Sequence, residues 1–158
     1  MALTVGASAP DFTLYSDGLE AVTLSDKLKG GHVLLLFYPG AFTSVCTTEL
    51  NSVNNDLSRY ETANVQILGI STDSPFVLQE FKKTNGFSFP LLSDHNAEVS
   101  ALYGTKYDND FTSMNFDRIA KRAAFLIAND GTIKYAEVLD NAGEQPDFDA
   151  IKSVLDSL

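Results

Sequence analysis

Residues 33–50 read VLLLFYPGAFTSVCTTEL and combine a strand, a turn and the start of a helix. The unbroken apolar run at 33–38 is typical of a strand that is buried on both faces of a sheet. Pro39 and Gly40 end that strand. After Cys46 the apolar residues recur at helical spacing, at Leu50, Val53, Leu57 and Tyr60. The pattern therefore predicts a helix that carries Cys46 in its first turn.

A cysteine in the first turn of a helix is a candidate nucleophile. The unpaired N–H groups at a helix start carry a partial positive charge, which stabilises a thiolate. An ordinary cysteine is only a few per cent ionised at pH 7, and reaching about 90 % requires about 3.4 kcal/mol of extra stabilisation of the anion. A helix end supplies at most about 2 kcal/mol. We therefore expect a fixed cation beside Cys46, contributed by another part of the chain.

The residues around Cys46 follow a recognisable pattern. Pro39, Thr43 and Cys46 match P-x-x-x-T-x-x-C, which resembles the active-site motif of peroxiredoxins, the thiol-dependent peroxidases. Glu49 extends the match, because members often carry Glu three residues after the cysteine. Most lone cysteines are small buried hydrophobic residues without chemistry. The resemblance favours the opposite interpretation, in which Cys46 is a catalytic nucleophile.

A second segment, KRAAFLIANDG at residues 121–131, supplies a candidate for the cation. It is similar to the late peroxiredoxin pattern R-x-x-F-[LIV]-[LIV], in which the arginine reaches the cysteine. The resemblance implies that Arg122 is the cation that Cys46 requires. The alternative is a surface arginine at the start of a strand.

The resemblance also implies a reaction and a role for each residue. The Cys46 thiolate would attack the terminal oxygen of hydrogen peroxide or an organic hydroperoxide, giving a sulfenic acid and water or an alcohol. Thr43 would hydrogen-bond the peroxide oxygen, and Arg122 would hold the thiolate and the oxygen on which charge develops. Pro39 would shield the sulfur from water. Glu49 would orient Arg122 through an ion pair.

Phe42 lies next to these residues and has three possible roles. It can line the peroxide entrance and contact the substrate, pack on a second subunit, or pack in the core. Exposed aromatic residues often mark interfaces, and peroxiredoxins of this kind commonly dimerise near the active-site loop. We therefore expect a homodimer.

The cysteine count determines how the oxidised enzyme is reduced. The chain has one cysteine, so it cannot form an internal disulfide. In the bacterioferritin-comigratory-protein branch a second cysteine commonly lies five residues after the first, where this chain has Asn51. The sequence resembles a one-cysteine peroxiredoxin, and its F-Y-P-x-A-F-T segment is most similar to the alkyl hydroperoxide reductase E-like group. The reductant must then be an external thiol, such as thioredoxin, a glutaredoxin-like protein or a low-molecular-weight thiol.

Two other functions involve the same cysteine. A peroxide sensor would carry out the same oxidation and pass it to a partner protein instead of turning over. A thiol–disulfide oxidoreductase would share the fold, but the chain has no C-x-x-C motif. We therefore expect the peroxidase, with the sensor and the oxidoreductase as alternatives.

The composition of the chain limits its partners and its location. With 158 residues, of which 44 % are hydrophobic, it is expected to form a single domain over residues 1–158. A net charge of −10 argues against nucleic acid and membrane surfaces as partners. Because we find no signal segment and no apolar run of about 18 residues, we expect a cytoplasmic protein.

We expect no metal or other cofactor. His32 and His95 are far apart in the sequence, and neither has the clustered partner ligands that a metal site needs.

The remaining segments complete an α/β pattern. They are a hairpin at 12–15 and 21–24, a buried strand at 65–71, a helix at 76–84 ended by Gly86, an extended piece at 87–93, a short helix at 96–103, a loop at 105–121, a hairpin at 123–128 and 132–138, and a last helix at 147–158. This order predicts a thioredoxin-like fold, in which helices flank a central mixed sheet that follows an N-terminal β-hairpin.

Overall fold

The computed structural model describes residues 3–158, which form seven strands and six helices. The strands are β1 (Thr13–Ser16), β2 (Ala21–Thr23), β3 (His32–Phe37), β4 (Val65–Ser71), β5 (Leu91–Ser93), β6 (Ala123–Ile127) and β7 (Ile133–Val138). The helices are α1 (Leu24–Leu28), α2 (Ser44–Asn55), α3 (Leu57–Thr62), α4 (Pro75–Asn85), α5 (Glu98–Leu102) and α6 (Phe148–Leu155). Among residues 3–158, no helix combines the length and the apolar character that crossing a membrane requires.

All seven strands belong to one mixed sheet, in the order β2-β1-β5-β4-β3-β6-β7. β3 pairs in parallel with β4, and β4 pairs in parallel with β5. The other pairs are antiparallel, including the β1–β2 and β6–β7 hairpins. The predicted mixed sheet and both hairpins are confirmed. Pro90 directly precedes β5, which lies inside the sheet between β1 and β4.

β3 is buried on both faces, as its unbroken apolar run predicts. Leu34 and Leu36 point to one face, where α2, α3, α4 and α6 pack. Val33 and Leu35 point to the opposite face, which α1 and α5 cover. Because side chains alternate along a strand, one apolar strand supplies both layers of the core. The end of β3, where the chain turns toward α2, is therefore fixed by the sheet and by the helices on both of its faces.

α4 has a capping residue at each end, and Gly86 ends it as the sequence predicts. The Ser74 hydroxyl accepts a hydrogen bond from the Val77 N–H at 3.4 Å, and Pro75 occupies the first turn, where its missing N–H is no loss. Gly86 ends the helix with φ of 71°, a left-handed conformation that favours glycine.

The helix after Cys46 is shorter than predicted. α2 ends at Asn55, and Asp56, with φ of −110° and ψ of 17°, separates it from α3. Val53 before the break and Tyr60 after it pack in the same core cluster. Because the apolar face continues across the break, the spacing of apolar residues does not reveal it.

The segment between α5 and β6 has no helix or strand, as predicted, although its backbone is partly ordered by two isolated bridges. Lys106 pairs with Ala120, and Phe111 pairs with Phe116. These bridges fold the segment back on itself and bring Phe111 to the end of the sheet where α2 begins.

Candidate active site

Cys46 lies in the first turn of α2, where the sequence predicts it. Thr43 is the N-cap residue, with φ of −83° and ψ of 153°, and makes no capping hydrogen bond through its side chain. Its hydroxyl instead donates to the Gly40 carbonyl at 2.8 Å. The first N–H groups of a helix have no acceptor within the helix, so those at the start of α2 remain available to a ligand or to the Cys46 sulfur.

The Cys46 side chain is buried, but it borders a small cavity. Its exposed fraction is 1 %, and the cavity beside it has a volume of about 120 Å³. The cavity is lined by Pro39, Thr43, Ser44, Val45, Cys46, Phe111, Arg122 and Ala142. The structure thus brings four of the predicted site residues, Cys46, Thr43, Pro39 and Arg122, to one opening. A polar cation shares this space with the sulfur, which is therefore not enclosed by hydrocarbon alone.

Glu49 joins the site through Arg122. The Arg122 Nη1 donates to Glu49 Oε1 at 2.7 Å, and both side chains are 1 % exposed or less. The Arg122 Nη2 donates to the Ala142 carbonyl at 2.9 Å. These two contacts engage both terminal nitrogens of the guanidinium group. The orientation of Arg122 is thus set by a residue of α2 and by the segment after β7.

Three buried side-chain polar atoms have no hydrogen-bond partner among residues 3–158: Tyr38 Oη, Glu49 Oε2 and Arg122 Nε. Buried polar groups in proteins are nearly always paired. Of these three residues only Arg122 lines the cavity. Its Nε is therefore a free N–H donor on a residue that borders the same space as Cys46.

Burial also changes the ionisation of these groups. Burial raises the pKa of Glu49 to about 7, although the charge of Arg122 opposes this. For Arg122 burial acts to lower the pKa, but attraction to Cys46 and Glu49 outweighs it and raises the pKa above its usual value. Attraction within the pair thus opposes the effect of burial on both partners, and Arg122 keeps its positive charge beside Cys46.

Tyr38 is a neighbour of the site that the sequence did not identify as functional. Burial, with smaller contributions from nearby Asp73, Cys46 and Glu49, raises the pKa of its phenol well above the usual range. Tyr38 therefore stays neutral and keeps its O–H as a hydrogen-bond donor. In the sequence Tyr38 is the last residue of the apolar run at 33–38, and nothing marks it as functional.

The two cavity residues that lie far from Cys46 in the sequence and were not predicted are Phe111 and Ala142. Phe111 comes from the segment without helix or strand, where no periodicity indicates which side chains point inward. Ala142 contributes its backbone carbonyl, which any residue can supply, so its identity carries no signal.

Phe42 lies next to the cavity but is not among its lining residues. Its side chain is 53 % exposed, and its ring centroid is 5.0 Å from that of Phe81 in α4. The backbone at Phe42 has φ of 64°, which is unusual for an aromatic residue. The Phe42 side chain therefore packs against α4, and about half of its surface is exposed to solvent.

Known proteins share both the sequence and the fold of this chain. The family model described as "AhpC/TSA family" matches residues 5–136. The chain is 37 % identical over 139 residues to alkyl hydroperoxide reductase E of Mycobacterium tuberculosis, covering 86 % of both proteins. It is 36 % identical over 133 residues to peroxiredoxin Bcp of Escherichia coli, covering 84 % of both.

Two solved structures show the same agreement. Peroxidoxin BcpB from Mycobacterium tuberculosis gives a TM-score of 0.87 at 26 % identity, covering 99 % of this chain and 98 % of that one. The reduced 2-Cys peroxiredoxin of Plasmodium vivax gives a TM-score of 0.83 at 28 % identity, covering 98 % and 81 %. The chain therefore belongs to the AhpC/TSA family and is a peroxiredoxin, a thiol-dependent peroxidase with a thioredoxin-like fold and a single cysteine.

Proposed function

We propose that this peroxiredoxin reduces hydrogen peroxide and organic hydroperoxides at Cys46 and is regenerated by an external thiol. The observation that carries the proposal is the cavity that Cys46 shares with Arg122. The arginine is buried, oriented by Glu49 and Ala142, and keeps an unpaired Nε donor. A fixed cation of this kind is what the ionisation of Cys46 requires beyond the helix start.

In the first step the Cys46 thiolate attacks the terminal oxygen of the peroxide. An S–O bond forms, the O–O bond breaks, and the leaving oxygen takes a proton to become water or an alcohol. Negative charge moves from the sulfur to the leaving oxygen. Arg122 and the N–H groups at the start of α2 stabilise that charge as it develops.

Thr43 and Pro39 shape the place where the peroxide binds. Because the Thr43 hydroxyl donates its proton to the Gly40 carbonyl, its oxygen is free to accept a hydrogen bond from the peroxide O–H. Pro39 is buried, offers no N–H and lines the same cavity. Pro39 therefore shields the Cys46 sulfur from water and does not itself donate a hydrogen bond to it. Phe42 would border the approach to the cavity.

The second half of the cycle needs two equivalents of an external thiol. The first thiol forms a disulfide with the Cys46 sulfenic acid and releases water, and the second reduces that disulfide. Asn51, which stands where a second cysteine occurs in related proteins, cannot take part. The candidate reductants are thioredoxin, a glutaredoxin-like protein and a low-molecular-weight thiol.

We further propose that the chain is a single thioredoxin-like domain that acts in the cytoplasm as a homodimer. The support for a dimer is the half-exposed Phe42 beside the active-site turn, since exposed aromatic residues are enriched in interfaces.

The test of the reaction is the Cys46→Ser variant. Stopped-flow mixing of the reduced wild-type protein with hydrogen peroxide should oxidise one thiol per chain, and added thiol reductant should support repeated turnover. Cys46→Ser should consume no peroxide, because serine offers no thiolate. Peroxidase activity in folded Cys46→Ser would contradict the proposal. A single stoichiometric oxidation without turnover under any reductant would favour the peroxide sensor instead.

Arg122→Met tests the cation. Methionine keeps an extended side chain but removes the charge, so less of Cys46 is ionised and the developing charge loses its main donor. We expect the rate constant with peroxide to fall by at least about 100-fold and alkylation of Cys46 by iodoacetamide at pH 7 to slow by about tenfold. Arg118→Met, at an exposed arginine, is the matched control and should change neither rate. Wild-type rates in folded Arg122→Met would exclude Arg122 from the site.

Sedimentation equilibrium tests the dimer. At a chain concentration of tens of micromolar we expect twice the mass of the chain, since the surface around Phe42 would be buried between two copies. A mass equal to that of one chain at this concentration would contradict the homodimer.

A further inference from the structure

One carboxylate connects the sheet to the turn that carries the active-site residues. Asp73 is the second residue after β4. Its Oδ2 accepts hydrogen bonds from the Ala41 N–H at 2.8 Å and from the Ser71 hydroxyl at 2.7 Å. Ala41 lies in the turn between β3 and α2, 32 residues away in the sequence. A carboxylate that accepts a backbone N–H bond makes one of the stronger hydrogen bonds in proteins.

The backbone of Asp73 is itself fixed to the sheet. Its N–H donates to the Ser71 hydroxyl oxygen at 3.3 Å, and its carbonyl accepts from the Ser93 hydroxyl at 2.6 Å. Ser71 and Ser93 are both buried and end the neighbouring parallel strands β4 and β5. The Asp73 carboxylate is therefore presented to Ala41 from a rigid support.

The turn that receives this contact holds a strained residue. Phe42, directly after Ala41, has φ of 64°, and left-handed backbone persists at such residues only where the surrounding structure imposes it. The structure supplies one constraint on each side. Asp73 holds the Ala41 N–H, and Phe81 supports the Phe42 ring.

The same turn supplies two walls of the cavity. Pro39 and Thr43 flank Ala41 by two residues on either side, and both line the space beside Cys46. A shift of the turn would move these two residues. Cys46 and Glu49 are held separately by α2, and Arg122 is held by Glu49 and Ala142.

We propose that Asp73 is a positioning residue for the peroxide reaction, which holds the turn at Ala41 and thereby places Thr43 and Pro39 against Cys46. The inference rests on the proposed function, because it concerns where the peroxide is held. It assigns Asp73 no contact with the substrate. Loss of the contact should impair the reaction that needs an oriented peroxide and spare a reaction that needs only the thiolate.

The experiment compares two reactions of Cys46 in Asp73→Ala. The rate constant with hydrogen peroxide should fall by about 10- to 100-fold, since small errors in the position of reacting groups have effects of this size. Alkylation by iodoacetamide at pH 7 should stay within about twofold of wild type, because Arg122 and the start of α2 are untouched. Asp73→Asn keeps an oxygen acceptor but loses the charge, so its peroxide rate should fall by about threefold, a smaller loss than that of Asp73→Ala.

Asp17→Ala is the matched control. Its carboxylate also accepts a backbone N–H bond from a distant residue, Leu91, at 2.9 Å, but Leu91 belongs to β5 and not to the turn between β3 and α2. Both reaction rates of Asp17→Ala should equal those of the wild type. Equal losses of peroxide rate in Asp17→Ala and Asp73→Ala would show that losing any such carboxylate-to-backbone hydrogen bond has this effect. That result would overturn the proposal.

Two further outcomes would overturn it. One is an unchanged peroxide rate in Asp73→Ala, and the other is a loss that is equal for peroxide and iodoacetamide. If Asp73→Ala does not fold, Asp73→Asn decides the question: a selective loss of about threefold in the peroxide rate supports the proposal, and no loss contradicts it. A wild-type protein that does not react with peroxide would instead contradict the proposed function, and this inference with it.

Discussion

The buried ion pair between Arg122 and Glu49 is the interaction on which the site depends. Removing two charges from water is costly, and the attraction between them repays that cost only when the geometry is good and further hydrogen bonds are made. Here the Nη1–Oε1 distance is 2.7 Å, and the Ala142 carbonyl accepts a second bond from Arg122. The pair also links α2 to the start of β6. It therefore fixes the guanidinium on the helix that carries Cys46.

Burial disfavours the charged form of both partners, and their mutual attraction opposes it. Burial raises the pKa of Glu49 against the charge of Arg122, whereas for Arg122 the attraction to Cys46 and Glu49 outweighs burial. Glu49 bonds only Nη1 of the guanidinium group, and Arg122 Nε has no hydrogen-bond partner among residues 3–158. The site thus orients the cation and leaves one of its N–H donors unused.

Much of this arrangement could be predicted from the sequence, because local rules and tertiary structure agree there. The apolar run of β3, the helix after Cys46 and the glycine that ends α4 follow from periodicity and capping. Arg122 was predicted from an energetic need for a cation, together with a resemblance that located it. The break at Asp56 was missed because the apolar face continues through it. Phe111 and Ala142 were missed because an irregular segment and a backbone carbonyl leave no pattern. The contact between the Asp73 carboxylate and the Ala41 N–H joins residues 32 positions apart, and no local pattern in the sequence indicates it.

Everything proposed for Cys46 depends on the Arg122 guanidinium acting on charge at the sulfur, from the cavity wall where Glu49 holds it. The most direct test compares the ultraviolet thiolate absorbance of the reduced wild-type protein with that of reduced Arg122→Met at pH 7, each measured as the difference from Cys46→Ser. We expect less thiolate absorbance in Arg122→Met than in the wild type. Equal thiolate absorbance in the two proteins, both folded and fully reduced, would contradict this role of Arg122.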